Sequence, residues 1–202
     1  MSIHKAERRS VILAAVIELL ATKGIGGVTH RAADHAAGLP QGSSTYYFPK
    51  KSDLLRATAV HLAAELAKDC DELQIAFSDI VAKQGLDRAI DYVALQLVES
   101  LAQAKHLQLA RIELMLAAAR SDDLTDLATL LSVAGRRPIE FFVSLISNGQ
   151  SQTAIDTCVG LIDGIALMYV TGQGAKPSAA QVATVLKSIV KTNDNTTLSR
   201  TD

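Results

Sequence analysis

Gln41, Gly42, Ser43, Ser44, Thr45, Tyr46 and Tyr47 follow one another without a break, shortly before Pro49 and Lys51. Short polar side chains around a permissive glycine suit approach to base edges, and the tyrosine hydroxyls can reach phosphate oxygens. Upstream, Thr29, His30 and Arg31 form a second polar group; the fork of Arg31 can address a guanine or the backbone, whereas Lys51 offers a point charge suited to phosphate. Catalytic constellations are missing from the sequence: there is no GxSxG, no HExxH, no phosphate-cradling glycine loop and no Cys/His pair with an orienting group. Cys70 and Cys158 stand far apart with no CxxC pairing and no nearby His cluster, so buried thiols are expected rather than a disulfide or a zinc site. No enzymatic activity, cofactor or metal is expected.

The elements that position these residues are helical. Ile12, Ala15, Val16, Leu19 and Leu20 recur at helical spacing and predict a helix over 8–23, which Gly24 stops. After the glycine-rich break 24–27, Thr29 is placed to cap a short helix that runs to Ala37 and ends at Gly38. A second short helix is predicted over 41–47, stopped by Pro49. Two short helices joined by Gly38, Leu39 and Pro40, and buttressed by a longer first helix, make a helix-turn-helix. Beyond it the chain predicts helices over 51–71, 86–103, 106–120, 122–147, 153–172 and 179–191, with a weaker segment to Gly85 and a kink or break at Pro138. Ser178 and Gln181 fit a capping box. The expected organisation is all-α: a helix-turn-helix domain over 1–50, a helical bundle over 51–192 joined to it by the 51–71 helix, and a disordered polar tail over 193–202.

Composition agrees with helix packed on helix, since 49% of residues are hydrophobic but only 4% aromatic, with no Trp. The net charge of -1 hides an uneven distribution: through Arg56 eight basic residues face four acidic ones, and beyond it twelve face seventeen. A basic head on an acidic body suggests a polyanion that meets only the head. Lys5, Arg8 and Arg9 before the apolar run 11–21 imitate a signal peptide, but Glu18 interrupts the run and no small-residue cleavage site precedes Lys23. The apolar stretch 155–170 contains Asp156 and Asp163 and reads as too short and too charged to span a bilayer. A cytoplasmic protein without a membrane partner is expected.

The stretch 29–55, THRAADHAAGLPQGSSTYYFPKKSDLL, resembles the DNA-binding signature of TetR-family repressors, with glycine, aromatic pair, proline and lysine in the family's register. LARIEL at 109–114 and LIDGIA at 161–166 more weakly resemble the effector-binding domain of one branch of that family. The resemblance implies a DNA operator bound by Thr29, His30, Arg31, Gln41, Gly42, Ser43, Ser44, Thr45, Tyr46, Tyr47 and Lys51, a homodimer, and a small-molecule effector. Two positions depart from the pattern: Thr45 stands where the family usually has Tyr, and Asp34 where it usually has a small Ala. A carboxylate at 34 is expected to be unwelcome beside close helix packing or DNA phosphate.

The body is then expected to dimerise and to bind the effector. The helix predicted over 153–172 is apolar over too wide an arc to be covered by its own domain alone, and Gly160 and Gly164 permit close approach of another helix. The expected dimer residues are Cys158, Leu161, Ile162, Ile165 and Met168, with Leu186 and Ile189 from the last helix. A small, largely apolar effector is expected to meet Tyr92, Gln96, Glu113, Phe141, Phe142 and Asp163. Glu113 is equally compatible with a structural salt bridge to Arg111, Arg136 or Arg137. The function these readings suggest is a homodimeric repressor released by its effector. A dimeric DNA-binding regulator governed by a protein partner or by abundance, and a ligand-sequestering helical protein with a vestigial DNA head, are the alternatives.

Overall fold

The structure, a computed structural model, describes residues 2–68, 70–147 and 149–191, with only the backbone described for 2–4, 70–72 and 191. The predicted tail and the Cys70 side chain lie outside the described residues. The helices are α1 (Ser2–Lys23), α2 (His30–Ala36), α3 (Ser43–Tyr47), α4 (Lys51–Ala67), α5 (Cys70–Gln84), α6 (Leu86–Gln103), α7 (Lys105–Ala118), α8 (Thr125–Ile146), α9 (Gln152–Val170) and α10 (Ala179–Lys191). Short 3-10 turns occupy Ile25–Gly27 and Asp122–Leu124. The fold is all-α.

Local chemistry explains many of the boundaries. Thr29 Oγ1 accepts the backbone N–H of Ala32 at 3.1 Å and caps α2. Ser151 and Ser178 cap α9 and α10 in the same way, accepting from Ala154 and Gln181. The segment after α4 is a helix of its own, α5, where the sequence suggested only a weaker continuation. Pro138 neither ends nor divides α8: the helix runs past it to Ile146, although the ring withdraws the ladder donor to Ala134.

The chain forms two compact units. The first comprises the chain through Ala67 together with Ala104–Gly135, and the second Lys68–Gln103 together with the chain from Arg136 onward. Ile12, Val16 and Leu20 of α1 share the first core with Leu54 and Leu62 of α4, Ala110 and Leu114 of α7, and Leu127 and Leu131 of α8. Each large aliphatic buried there contributes about 1.5–3 kcal/mol against solvent exposure. The division therefore differs from a linear cut at residue 50, since α1 buries its apolar stripe on α7, which lies far away in sequence. The second core gathers Phe77, Ile90, Val93, Phe142, Val143, Val159, Ile162, Leu186 and Ile189. Lys187 of α10 reaches Asp91 of α6 at 2.6 Å across that unit.

Length and composition would let α9 cross a membrane, contrary to the sequence expectation that the segment is too short and too charged. Its Ile155, Cys158, Val159, Ile162 and Val170 are instead buried in the second unit. Cys158 is a free thiol beside the Val185 carbonyl, 3.7 Å away, and burial pushes its pKa above the ordinary value.

Candidate nucleic-acid interface

Two left-handed glycines shape the turn between α2 and α3. Gly38, at φ 64, lets the N–H of Leu39 return to the carbonyl of Asp34 at 2.9 Å and close the end of α2. Gly42, at φ 95, sits at the start of α3, where a side chain would strain the backbone. A five-residue helix is too short to persist by itself. Polar bonds to α2 hold it: Asp34 accepts N–H groups of Gly42 and Ser44, Ser44 Oγ donates to the His30 carbonyl at 3.1 Å, and His30 Nε2 donates to the Phe48 carbonyl at 2.7 Å.

These bonds divide the sequence candidates. Thr29, Arg31, Gln41, Gly42, Thr45, Tyr46 and Lys51 are exposed, Tyr46 at 72%. Ser43 is half-buried and donates to the Pro40 carbonyl at 2.6 Å, and Tyr47 is half-buried against the first core, edge-on to Tyr46. Ser44 is 0% exposed. Its hydroxyl ties α3 to α2, so it does not belong to the face that could meet a base, as the sequence had suggested. The half-buried His30 is likewise engaged with Phe48. The carboxylate of Asp34, expected to be unwelcome, is 2% exposed and has two N–H donors, which offset its desolvation.

Lys51 has a second attachment. Its ammonium donates to the Ile25 carbonyl at 3.1 Å, while the N–H of Ile25 donates to Glu113 Oε2 at 3.1 Å. The turn before α2 is thereby held by α4 on one side and α7 on the other. Glu113, an expected effector contact, belongs to this first unit, and its Oε2 accepts the backbone N–H of Ile25.

The surface extends further than the candidates did. Lys5 Nζ lies 5.8 Å from the Tyr46 ring centroid and Arg9 Cζ 5.0 Å from that of Phe48, so the start of α1 adds positive charge beside α3. Their i, i+4 spacing places both on one helical face, a signal legible in the sequence.

In the second unit, Tyr92, Gln96, Phe141 and Asp163 are half-buried. Phe142 is a core residue, with ring centroids 5.3 Å from Phe77 and 5.1 Å from Phe141. Asp163 Oδ2 lies 3.1 Å from Arg136 Nε. Of the expected dimer residues, Cys158, Ile162, Leu186 and Ile189 are buried within their own unit, Ile165 is half-buried, and Leu161 and Met168 are exposed at 53% and 54%. Among the described residues no group of three or more His, Cys, Asp and Glu stands where it could hold a metal ion.

Residues 84–192 match the family profile described as "Tetracyclin repressor-like, C-terminal domain", which covers more than half of the chain. The chain belongs to the TetR family. Among solved structures, this TetR-family chain is similar to a member of the family from Streptomyces coelicolor A3, at 25% identity and a TM-score of 0.68 over 91% of this chain and 98% of that one. It is also similar to the multidrug binding protein EbrR complexed with ethidium, at 25% identity and a TM-score of 0.64 with the same coverage. NalD of Pseudomonas aeruginosa shares the fold at 17% identity, with a TM-score of 0.56 over 93% of this chain and 96% of that one. No curated protein sequence matches the chain. Family membership makes it a DNA-binding transcriptional regulator with a helix-turn-helix, and not an enzyme.

Proposed function

We propose that this regulator is a homodimeric cytoplasmic repressor that holds a near-palindromic operator and lets it go when a small, largely apolar effector binds its C-terminal helices. The observation that carries this reading is the exposure of Arg31, Gln41, Thr45 and Tyr46, with Lys5 against the Tyr46 ring and Lys51 exposed at the start of α4. Directional donors suit base edges in a major groove, and the cations suit phosphates. Leu161 and Met168 on the outer side of α9 support a partner helix from a second copy. Two heads on a two-fold axis require half-sites about one helical turn or more apart.

For the effector, Tyr92, Gln96, Phe141 and Asp163 are the proposed contacts, combining apolar rings with groups that fix orientation. The likeness to a protein complexed with ethidium supports a flat aromatic cation as the first probe. The test begins with selection of duplexes from a random-sequence pool and a footprint on the winner. Two protected half-sites related by a two-fold axis are expected, and a footprint without that symmetry rejects the dimeric geometry. Ethidium titrated into DNA-free protein should bind saturably with Phe141 intact and several-fold more weakly in Phe141→Ala; equal isotherms would remove the proposed contact.

A further inference from the structure

The recognition helix α3 has an unusual anchorage. It buries only Ser44, and Gly42, the residue that precedes its first turn, has no side chain with which to cap it. Asp34, one helix away, does so. Its Oδ2 accepts the Gly42 N–H at 2.8 Å and its Oδ1 the Ser44 N–H at 2.7 Å, both short and charge-assisted. Asp34 is a buried residue of α2, so it cannot itself be a contact of DNA.

We propose that Asp34 is the positioning residue of the recognition helix: its carboxylate, bonded to both Gly42 and Ser44, fixes the orientation at which α3 presents Gln41, Thr45 and Tyr46, and so contributes to sequence discrimination from inside the protein. A pair of bonds to one rigid carboxylate restrains rotation of α3 as well as its separation from α2, which a single bond would not. Base readout needs such restraint because directional hydrogen bonds fail with small misplacements, whereas phosphate contacts through Lys5 and Lys51 tolerate them. The proposal rests on the reading of α3 as the base-reading helix.

The experiment compares wild type, Asp34→Ala and Asp34→Asn on a duplex selected by wild type from a random pool and on a scrambled duplex of the same composition. Amide hydrogen exchange at Gly42 and Ser44 is followed by NMR in the same proteins. Asp34→Ala is expected to lose protection at both amides and to lower the ratio of selected to scrambled affinity roughly tenfold or more, as loss of a bond to a charged acceptor would. Asn keeps one acceptor oxygen but turns an N–H toward the other donor, so Asp34→Asn should fall between the two. It also serves as the test should the alanine variant fail to fold. An unchanged ratio in a folded variant, or an equal loss on both duplexes, overturns the role of Asp34. If wild type selects no sequence, the base-reading assignment of α3 fails instead, and the exchange data still report whether the clamp exists.

Discussion

At the scale of single residues, the proposed DNA contacts predict two kinds of variant, one that alters sequence preference and one that weakens binding to any duplex. Gln41→Ala should cost about 1–3 kcal/mol per half-site on the selected duplex and relax preference at one position. Lys51→Ala should weaken all duplexes alike and reduce the salt dependence by about one counterion per half-site. Because the Lys51 ammonium also holds the Ile25 carbonyl, this variant should additionally speed amide exchange in the 25–27 turn. Titrations at several salt concentrations decide the matter: if Lys51→Ala alters preference while Gln41→Ala does not, α3 is not in the major groove. Away from DNA, burial raises the Cys158 thiol above its ordinary pKa of 9.0. A raised folded-state value means that stability from the neutral thiol is whole below pH 9.0 and is lost as pH rises through the folded value. Iodoacetamide at about pH 8 should therefore label Cys158 far more slowly in native protein than in urea, read by peptide mass mapping. Equal rates would contradict its burial.

At the scale of elements, α9 shows how one helix can be asked to face two ways. Ile155, Cys158, Val159 and Ile162 line its inner side, while Leu161, Leu167 and Met168 remain exposed on the outer side. The two sides predict different failures. Leu161→Glu or Met168→Glu should give folded monomers in sedimentation at micromolar concentration, because the charge enters only the exposed side proposed to meet a second copy. Ile162→Glu should instead lower thermal stability, since it places a charge at a site 5% exposed in the protomer's own core. Dimers persisting in both outer variants would move the interface elsewhere.

At the scale of the whole molecule, the helix-turn-helix is not self-sufficient. Ala110, Leu114 and Ala118 of α7 and Leu127 and Leu131 of α8 complete its core. A fragment ending at Ala67 is expected to lose cooperative melting and amide dispersion, and a sharp transition in circular dichroism from that fragment would refute the shared core. Loss of Leu114 alone, as Leu114→Ala, should cost about 2–5 kcal/mol in urea unfolding of the first unit. Release of the operator by effector must obey reciprocity: whatever factor the effector takes from DNA affinity, DNA must take from effector affinity. An effector that binds equally well with and without operator would end the induced-release reading.

The helical class, the two short helices of the turn and the basic head were legible in the sequence, because helical periodicity, Thr29 as a cap, glycines at 38 and 42 and charge counts are local quantities. Boundaries were nearly as local: the 86–103 and 179–191 predictions coincide with α6 and α10. What only the tertiary structure decided depends on partners distant in sequence. Asp34 looked costly because its donors, Gly42 and Ser44, are brought to it only when α2 and α3 close around the turn. Ser44 looked available because a polar type says nothing of burial. Glu113 looked like an effector contact because its bond, to the backbone of Ile25, spans 88 residues. The compact units escaped a linear reading for the same reason: the stripe that covers α1 comes from α7, and an amphipathic pattern specifies that a helix must be covered without specifying by which.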